Sequence, residues 1–236
     1  MVSIVAFIVI LYRGSSPRPG EITLAHNGVL FLDELPEYSR AVLDVLREPL
    51  ESGKIVISRA ARQITFPASF QLVAAMNPTP GGYAASDPRS QSYSAEQIRQ
   101  YMSRVSGPFL DRIDMHVEVP PVPTQVLAAG QASESSAQVR QRVEQAWQIQ
   151  LDRQGKGNHL LSTREIDHFC RLQNADSQLL QTAVDRLGLS ARSYHRILKV
   201  ARTLADLDQT KEIQRPHLTE ALGYRQLDRI GNNIAR

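Results

Sequence analysis

The strongest constraint on the fold is an apolar run that ends in two acids, residues 28–35 with the sequence GVLFLDEL. Its apolar residues follow one another without alternation, which is typical of a central strand in a parallel sheet that is buried on both faces. In open α/β sheets, ligands bind at the carboxyl ends of the strands. We therefore predict that Asp33 and Glu34 lie at that edge of the sheet.

The two acids fit a site for phosphoryl transfer from a nucleotide. An Asp at the end of a strand can hold Mg²⁺ through the water shell of the ion, and a neighbouring Glu can polarise an attacking water. This is the Walker B pattern of nucleotide triphosphatases. The alternative is a buried strand whose acids only cap the following turn.

The composition is ordinary for a globular protein. Of the 236 residues, 42% are hydrophobic, and the net charge of +3 permits contact with nucleic acid without indicating it. The single cysteine, Cys170, excludes an internal disulfide and a multi-cysteine metal site, so we predict a core thiol and a cytoplasmic location. The apolar segment 1–11 is too short for a helix that spans a bilayer, and we predict no membrane partner.

A strand-rich half precedes a helical half. Turn and strand signals predict a helix that stops at Gly53, a β-hairpin at 54–66 and a second apolar strand at 70–76. A further strand is predicted at 114–119, before a proline-rich boundary.

The remainder of the chain predicts helices only. Capping boxes and one-sided apolar spacing recur from Ser136 to the last helix. In the helix predicted at 136–154, Val139, Val143, Ala146 and Trp147 share one side. We therefore expect Trp147 to anchor the core of this half.

The order of these segments resembles a known family. The chain contains, in this order, GVLFLDEL, PLESG, IVISRA, AAMNP, SGPFLDRIDMHVEVP and LGLSARSYHRILKVARTLADL. Their order and spacing resemble the magnesium-chelatase-like AAA+ ATPases of the ComM/YifB type, from about residue 14 to the last helix. The resemblance implies an α/β fold: the distal part of an AAA+ P-loop core, with a parallel sheet and a β-hairpin insertion, followed by an all-α lid. It divides the chain into a segment foreign to the family (1–13), a partial core (14–120), a linker (121–135) and a lid (136–236).

The resemblance also implies roles for residues of the sheet edge. Asp33 and Glu34 correspond to the Walker B pair, with Asp33 as the cofactor-binding residue that holds Mg²⁺ through water and Glu34 as a catalytic residue. Asn77 resembles the catalytic sensor 1 residue, whose amide orients the attacking water and the γ-phosphate. The alternative for Asn77 is a turn former before Pro78.

Two arginine positions resemble further parts of the family's site. Arg112 resembles the arginine finger, which stabilises charge on the phosphoryl group bound by a neighbouring subunit. The alternative is a surface ion pair with Asp111 or Asp114. Arg192 resembles the nucleotide-binding sensor 2 residue, although Arg196, one helical turn later, is a second candidate for that role. The alternative for Arg192 is a solvated residue on the helix surface.

The predicted hairpin at 54–66 resembles the insertion that lines the pore of such rings. By this resemblance Lys54, Arg59 and Arg62 contact DNA phosphates without reading the base sequence. The alternative is a basic edge hairpin that its charges keep soluble.

The sequence departs from the family in three respects. The Walker A loop, Gly-x-x-x-x-Gly-Lys followed by Ser or Thr, is absent from the 236 residues, as is the family's amino-terminal domain. We therefore expect a truncated reading that is inactive alone. Where many relatives carry paired cysteines, this chain has Thr79, Gly81, Ser92 and Ser94, so we expect no zinc.

The resemblance implies a function for the full-length protein. It is a homo-hexameric motor that uses ATP and Mg²⁺ and acts on single-stranded or branched DNA, in branch migration during natural transformation and recombination. Two alternatives remain: a non-catalytic truncated subunit, and an ATPase subunit of a magnesium chelatase.

Overall fold

A computed structural model describes residues 2–3, 19–59, 62–82, 92–122 and 134–225. In these ranges the chain forms a small parallel sheet, a separate β-hairpin and many helices, which confirms the mixed α/β class. The chain divides into two compact units, Met1–Ile113 and Asp114–Arg236. No helix in the described ranges is both long enough and apolar enough to cross a membrane.

The first unit is built around the predicted central strand. Its elements are β1 (Val2–Ser3), α1 (Glu21–Leu24), β2 (Val29–Leu32), a 3-10 turn (Leu35–Glu37), α2 (Arg40–Val45), α3 (Arg47–Ser52), β3 (Lys54–Arg59), β4 (Arg62–Pro67), β5 (Gln71–Ala74), α4 (Ala95–Ser103) and α5 (Gly107–Leu110). Strand β2 lies between β1 and β5 and is parallel to both. Residues 4–13 of the predicted foreign segment lie outside the described part of the chain.

The two faces of β2 are buried to different degrees. Leu30 and Leu32 are buried, and Val29 and Phe31 are partly buried. The same core contains Leu43, Leu46 and Phe109 from the helices around the sheet. The predicted burial is thus complete on the face of Leu30 and Leu32 and partial on the face of Val29 and Phe31, in a strand that lies between two neighbours.

The predicted β-hairpin is present. Strands β3 and β4 pair antiparallel, from Lys54 opposite Pro67 to Arg59 opposite Arg62. Helix α3 ends at Gly53, whose φ of 66° is left-handed and favours glycine. The predicted turn at 60–61 lies outside the described residues.

The second unit is helical, as predicted. Its helices are α6 (Ser136–Gln154), α7 (Thr163–Phe169), α8 (Asn174–Leu187), α9 (Ala191–Leu207) and α10 (Arg215–Gly223), with a 3-10 turn at Asn158–Leu160. The predicted capping box of Ser162 and Glu165 opens α7, and Gly188 ends α8 in the left-handed conformation. Helix α9 contributes most to the core, through Ile197, Leu198 and Ala201.

The strand prediction at 114–119 is wrong. These residues form no strand, and Met115, Val117 and Val119 are exposed. The backbone N–H of His116 donates to the carbonyl oxygen of Tyr224, 2.7 Å away, a residue that follows a helix. Among the described residues, no strand pairs with this segment.

The expectation that Trp147 anchors the helical core is also wrong. Trp147 is 45% exposed, and Val139 and Val143 are exposed as well. The buried positions of α6 are Ala146 and Gln150. The side chain of Gln150 accepts a hydrogen bond from the backbone N–H of Asn158 at 2.9 Å, so the inward side of α6 carries a polar contact.

Candidate functional site

The loops after β2 and β5 lie side by side at the carboxyl edge of the sheet. Leu32 is opposite Ala74 in the parallel register. Beyond it, the N–H of Ala75 donates to the oxygen of Leu32 at 2.8 Å, and the N–H of Leu35 donates to the oxygen of Ala75 at 2.9 Å. Because this pairing continues past the strands, the residues of both loops share one edge.

Asp33 and Glu34 occupy the first of these loops, as predicted. Both side chains are exposed. Glu34 has φ 50° and ψ 49°, a left-handed conformation that is uncommon for residues other than glycine. Asp33 Oδ1 accepts a hydrogen bond from the N–H of Glu34 at 2.9 Å, which helps to hold this conformation. Such strain persists only where the surroundings enforce it, and it concentrates at functional sites.

The turn that follows Glu34 anchors the strained residue. The N–H of Glu37 donates to the oxygen of Glu34 at 2.8 Å, and Leu35 and Pro36 are buried beneath the turn. The carboxylate of Glu34 therefore projects from a fixed base. The sequence offered no signal for this conformation, because Glu is not a residue type that favours it.

Asn77 lies in the second loop, after the carboxyl end of β5 as predicted, and it is exposed. The chain turns back over it, since the N–H of Gly82 donates to the oxygen of Thr79 at 3.0 Å and a Cβ on Gly82 would lie 3.7 Å from Asn77 Cγ. Thr79 is buried. The position of Asn77 is thus set by a closed turn.

Two tyrosines that the sequence analysis did not single out lie near this edge. Burial, with the charges of Asp33 and Glu34, raises the pKa of Tyr38. Burial, with the charges of Glu37 and Glu34, raises the pKa of Tyr101, and a hydrogen bond from the backbone of Asn77 opposes that rise. Both phenols therefore remain protonated at neutral pH.

Helix α4 brings Tyr101 to this position. Ser94 and Gln97 form the capping box that begins α4, and this pattern is visible in the sequence. One turn after Tyr101, Arg104 Nη1 lies 3.1 Å from Glu37 Oε1. Helix α4 and the residue after it thus contact both loops of the edge.

The edge fits a hydrated magnesium ion better than a fully enclosed one. Among the described residues, no group of three or more His, Cys, Asp or Glu side chains could hold a metal. Mg²⁺ in nucleotide sites keeps several waters and takes one or two carboxylates besides the phosphates. Asp33 uses one oxygen for the N–H of Glu34, and a carboxylate has further acceptor capacity for such waters.

Arg112 lies in the same unit, directly after α5, but it is not exposed. Its side chain is 8% exposed, Nη1 donates to the oxygen of Pro108 at 2.6 Å, and Nη2 lies 3.1 Å from Glu51 Oε1. The ion-pair partner is therefore Glu51. Of the two partners considered from the sequence, Asp114 pairs instead with Arg196.

The two candidates for sensor 2 lie in the second unit, in the first two turns of α9. The hydroxyl oxygen of Ser190 accepts from the N–H of Ser193 at 3.1 Å and caps the helix. Arg192 is exposed, whereas Arg196 is only partly exposed and is engaged by Asp114. Exposure thus favours Arg192 for contact with a ligand, and its role stays a prediction.

The predicted DNA-contact residues lie at the two ends of the hairpin. Lys54 is exposed at its base, where its N–H donates to Ser52 Oγ at 3.2 Å. Arg59 and Arg62 are opposite each other beside the turn. The side chains of these two arginines are outside the described part of the structure.

Comparison with known proteins identifies the family. The family described as "Magnesium chelatase, subunit ChlI" matches residues 3–127, and the ChlI C-terminal family matches residues 133–225. The chain is 55% identical over 219 residues to Competence protein ComM of Haemophilus influenzae, covering 92% of this chain and 42% of that protein. It is 51% identical over 218 residues to YifB of Escherichia coli, covering 92% of this chain and 43% of that protein. The chain spans less than half the length of these relatives and belongs to the magnesium chelatase ChlI family, in its ComM/YifB group.

Proposed function

We propose that the chain provides the hydrolytic edge and the lid of an AAA+ motor that uses ATP and Mg²⁺ and acts on DNA. The observation that carries the proposal is the strained, exposed Glu34 beside Asp33 at the carboxyl edge of a central parallel strand. Its setting is natural transformation and recombination, since a relative 55% identical to the chain is named a competence protein.

Each residue of the edge has a distinct task in this proposal. Bound Mg²⁺-ATP supplies the phosphoryl group that water attacks. Asp33 holds the waters of the ion, and Glu34 accepts the proton of the attacking water. Asn77 orients that water, because an amide both donates and accepts hydrogen bonds.

The remaining predicted residues act between subunits and on DNA. In a head-to-tail homo-hexamer, Arg112 reaches the nucleotide of a neighbouring subunit and Arg192 contacts nucleotide from the lid. Lys54, Arg59 and Arg62 contact the phosphates of single-stranded or branched DNA during branch migration.

A phosphate cradle is needed in addition to these residues. The 236 residues contain no Walker A sequence, and exposed carboxylates repel a polyphosphate when no lysine and backbone amides compensate. The chain alone is therefore inactive in this proposal. The complete site forms in a longer protein, such as a chimera that joins the amino-terminal part of H. influenzae ComM to this chain.

A second candidate is an ATPase subunit of a magnesium chelatase, which the description of the matching family favours. The two functions share the hydrolytic edge and differ in what hydrolysis drives. Branch migration of DNA by the chimera favours the first, and metallation of a porphyrin favours the second.

The roles of the two acids are tested with Asp33→Ala and Glu34→Gln in the chimera. Asp33→Ala should weaken Mg²⁺-dependent ATP binding, since a contact to the hydrated ion is lost. Glu34→Gln should leave binding intact and lower turnover by about a hundredfold or more, because only the proton acceptor is lost. Glu48→Gln, at an exposed acid of α3, is the control. Equal loss of ATP binding in both variants would contradict these roles.

The DNA contact is tested by replacing Lys54, Arg59 and Arg62 with Ala. The slope of log affinity against log salt for single-stranded DNA should fall by about 2, because each phosphate contact contributes about 0.7. Alanine at Arg140, Arg164 and Arg186, which are exposed on the helical unit, removes the same charge and is the control. An equal loss of slope in the control would show that net charge, and not the hairpin, binds DNA.

A further inference from the structure

The side chain of Arg112 is buried within its own unit. That side chain is 8% exposed, and its two terminal nitrogens contact the carbonyl oxygen of Pro108 and the carboxylate of Glu51. Among the described residues, Nε has no hydrogen-bond partner although it is buried. The arginine is therefore retracted, with part of its donor capacity unused.

Glu51 lies where α3 joins the hairpin. Ser52 follows it, and the N–H of Lys54 donates to Ser52 Oγ at 3.2 Å. Next comes Gly53, whose carbonyl oxygen accepts from the N–H of Ala68 at 2.8 Å and so ties both strands to the same point. A displacement of the hairpin base therefore displaces the carboxylate that holds Arg112.

We propose that Glu51 is a positioning residue that retains Arg112 in this retracted state, and that DNA bound to the β3–β4 hairpin releases it. The inference rests on the proposed function, since it regulates the same site. Carboxylate and phosphate are both anions that a guanidinium binds with two parallel hydrogen bonds. On release, Arg112 exchanges the carboxylate of Glu51 for a phosphate of the neighbouring subunit's nucleotide.

The strength of the contact suits a reversible latch. Glu51 is 38% exposed, and ion pairs with one solvated partner are weak. A small shift of the hairpin base is then enough to break it. Without the Glu51 carboxylate, the contact with Pro108 is not enough to retain the arginine.

The retention itself is tested on the isolated chain with phenylglyoxal, which modifies accessible guanidinium groups. Mass spectrometry of Arg112 should show modification at least about threefold faster in Glu51→Gln than in the unaltered chain. Glu48→Gln, one helical turn earlier on α3, should leave the rate unchanged. Equal rates in the unaltered chain and Glu51→Gln would overturn the proposal.

A thermal melt of each variant separates local release from unfolding. If Glu51→Gln is unfolded at the labelling temperature, Glu51→Asp replaces it, because it keeps the charge and withdraws the carboxylate by one methylene. The same faster labelling of Arg112 is expected, and unchanged labelling in this folded variant overturns the proposal.

The regulatory consequence is tested by ATP hydrolysis in the chimera, with and without single-stranded DNA. Glu51→Gln should raise the DNA-free rate at least about threefold and reduce stimulation by DNA. A Glu51→Gln rate as low as that of Arg112→Ala would overturn the latch, since Glu51 would then support the active geometry. An unaltered rate in Arg112→Ala would contradict the arginine-finger role, on which the latch depends. Labelling of the isolated chain does not depend on that role, so it distinguishes failure of the latch from failure of the proposed function.

Discussion

Glu34 adopts a backbone conformation that strains any residue with a side chain. Its φ of 50° is one of three positive values outside glycine among the described residues, and it occurs at the proposed water-activating acid. Leu35 and Pro36, which are buried beneath it, and the hydrogen bond that its N–H donates to Asp33 keep it there. The strain is thus a cost of presenting the carboxylate at the sheet edge.

Two substitutions of Glu34 should have different effects on the stability of the chain. Glu34→Gly should unfold at a denaturant concentration equal to or above that of the unaltered chain, because glycine adopts φ 50° without strain. Glu34→Val should lose about 1–2 kcal/mol, since a β-branched side chain tolerates this conformation poorly. Urea unfolding followed by circular dichroism measures both, and Glu34→Val as stable as Glu34→Gly would contradict the strain.

The thiol of Cys170 makes the stability dependent on alkaline pH. Burial raises its pKa from 9.0 to about 11. Because the folded-state pKa lies above the unfolded one, the stabilisation is complete below pH 9 and is lost as the pH rises towards 11.

The measurement is the difference in unfolding free energy between the unaltered chain and Cys170→Ala. At about pH 8 the unaltered chain should be more stable, because Ala leaves a small cavity in the core. Near pH 10.5 it should have lost about 2 kcal/mol that the variant keeps. Other groups that titrate in this range are common to both proteins, and a difference that does not change with pH would contradict a neutral buried thiol.

Helix α9 is held in the second unit by a polar cluster as well as by its apolar face. Asp206 is fully buried, and its carboxylate contacts the side chains of Arg153, Arg202 and Asn158. Asn158 also donates to Thr203 Oγ1 at 2.9 Å. The cluster joins α9 to the end of α6 and to the 3-10 turn after it.

Removal of this carboxylate should be severely destabilising. Asp206→Ala leaves two guanidinium groups without their shared acceptor, so we expect a loss of about 3–5 kcal/mol in thermal or urea unfolding. Asp152→Ala, at an exposed acid of α6 whose Oδ1 accepts a hydrogen bond from Gln148 Nε2 at 2.7 Å, should cost less than about 0.5 kcal/mol. Similar losses in both variants would show that the cluster does not bear on stability.

The elements that sequence could predict are those whose local signals agree with their packing. Strand β2, the β3–β4 hairpin and the capped helices α7 and α9 all have such signals. The segment 114–119 alternates like a strand, but strand formation also needs a partner, and its backbone contact is with Tyr224. The prediction for Trp147 is wrong because helical spacing places it beside Ala146, whereas the buried positions of α6 are Ala146 and Gln150.

In the candidate site, too, the sequence predicts the positions of residues but not their contacts with distant segments. The position of Asp33, Glu34 and Asn77 follows from strand ends in a parallel sheet, which sequence reveals. The conformation of Glu34 is held by its chain neighbours, but Glu is not a residue type that favours it. The burial of Arg112 against Glu51 depends on contacts between segments far apart in the chain. No local pattern encodes those contacts.

The two compact units each have their own apolar core. In the second unit the core residues lie between Leu161 and Ala221, all within the helical half. Residues 114–122 add contacts to it, since Asp114 pairs with Arg196 and the N–H of His116 bonds to Tyr224. The core is thus complete without these residues, and they add stability.

Two fragments test this division. A fragment of residues 136–236 should unfold cooperatively on heating, because its core is intact. A fragment of residues 114–236 should unfold about 4 °C higher, the shift that ~1 kcal/mol gives in a unit of this size. A midpoint for the longer fragment no higher than that of the shorter one would show that 114–122 contribute nothing, and a non-cooperative transition in both would contradict an independent unit.

The central claim is that this chain holds the hydrolytic edge of an ATPase whose phosphate cradle lies outside its 236 residues. Steady-state phosphate release tests it most directly, on the chain alone, on the chimera with the amino-terminal part of H. influenzae ComM, and on the chimera with Glu34→Gln. The account predicts release by the chimera only, reduced about a hundredfold or more by Glu34→Gln. Release by the chain alone that Glu34→Gln abolishes, or release by the chimera that Glu34→Gln leaves unchanged, would contradict it.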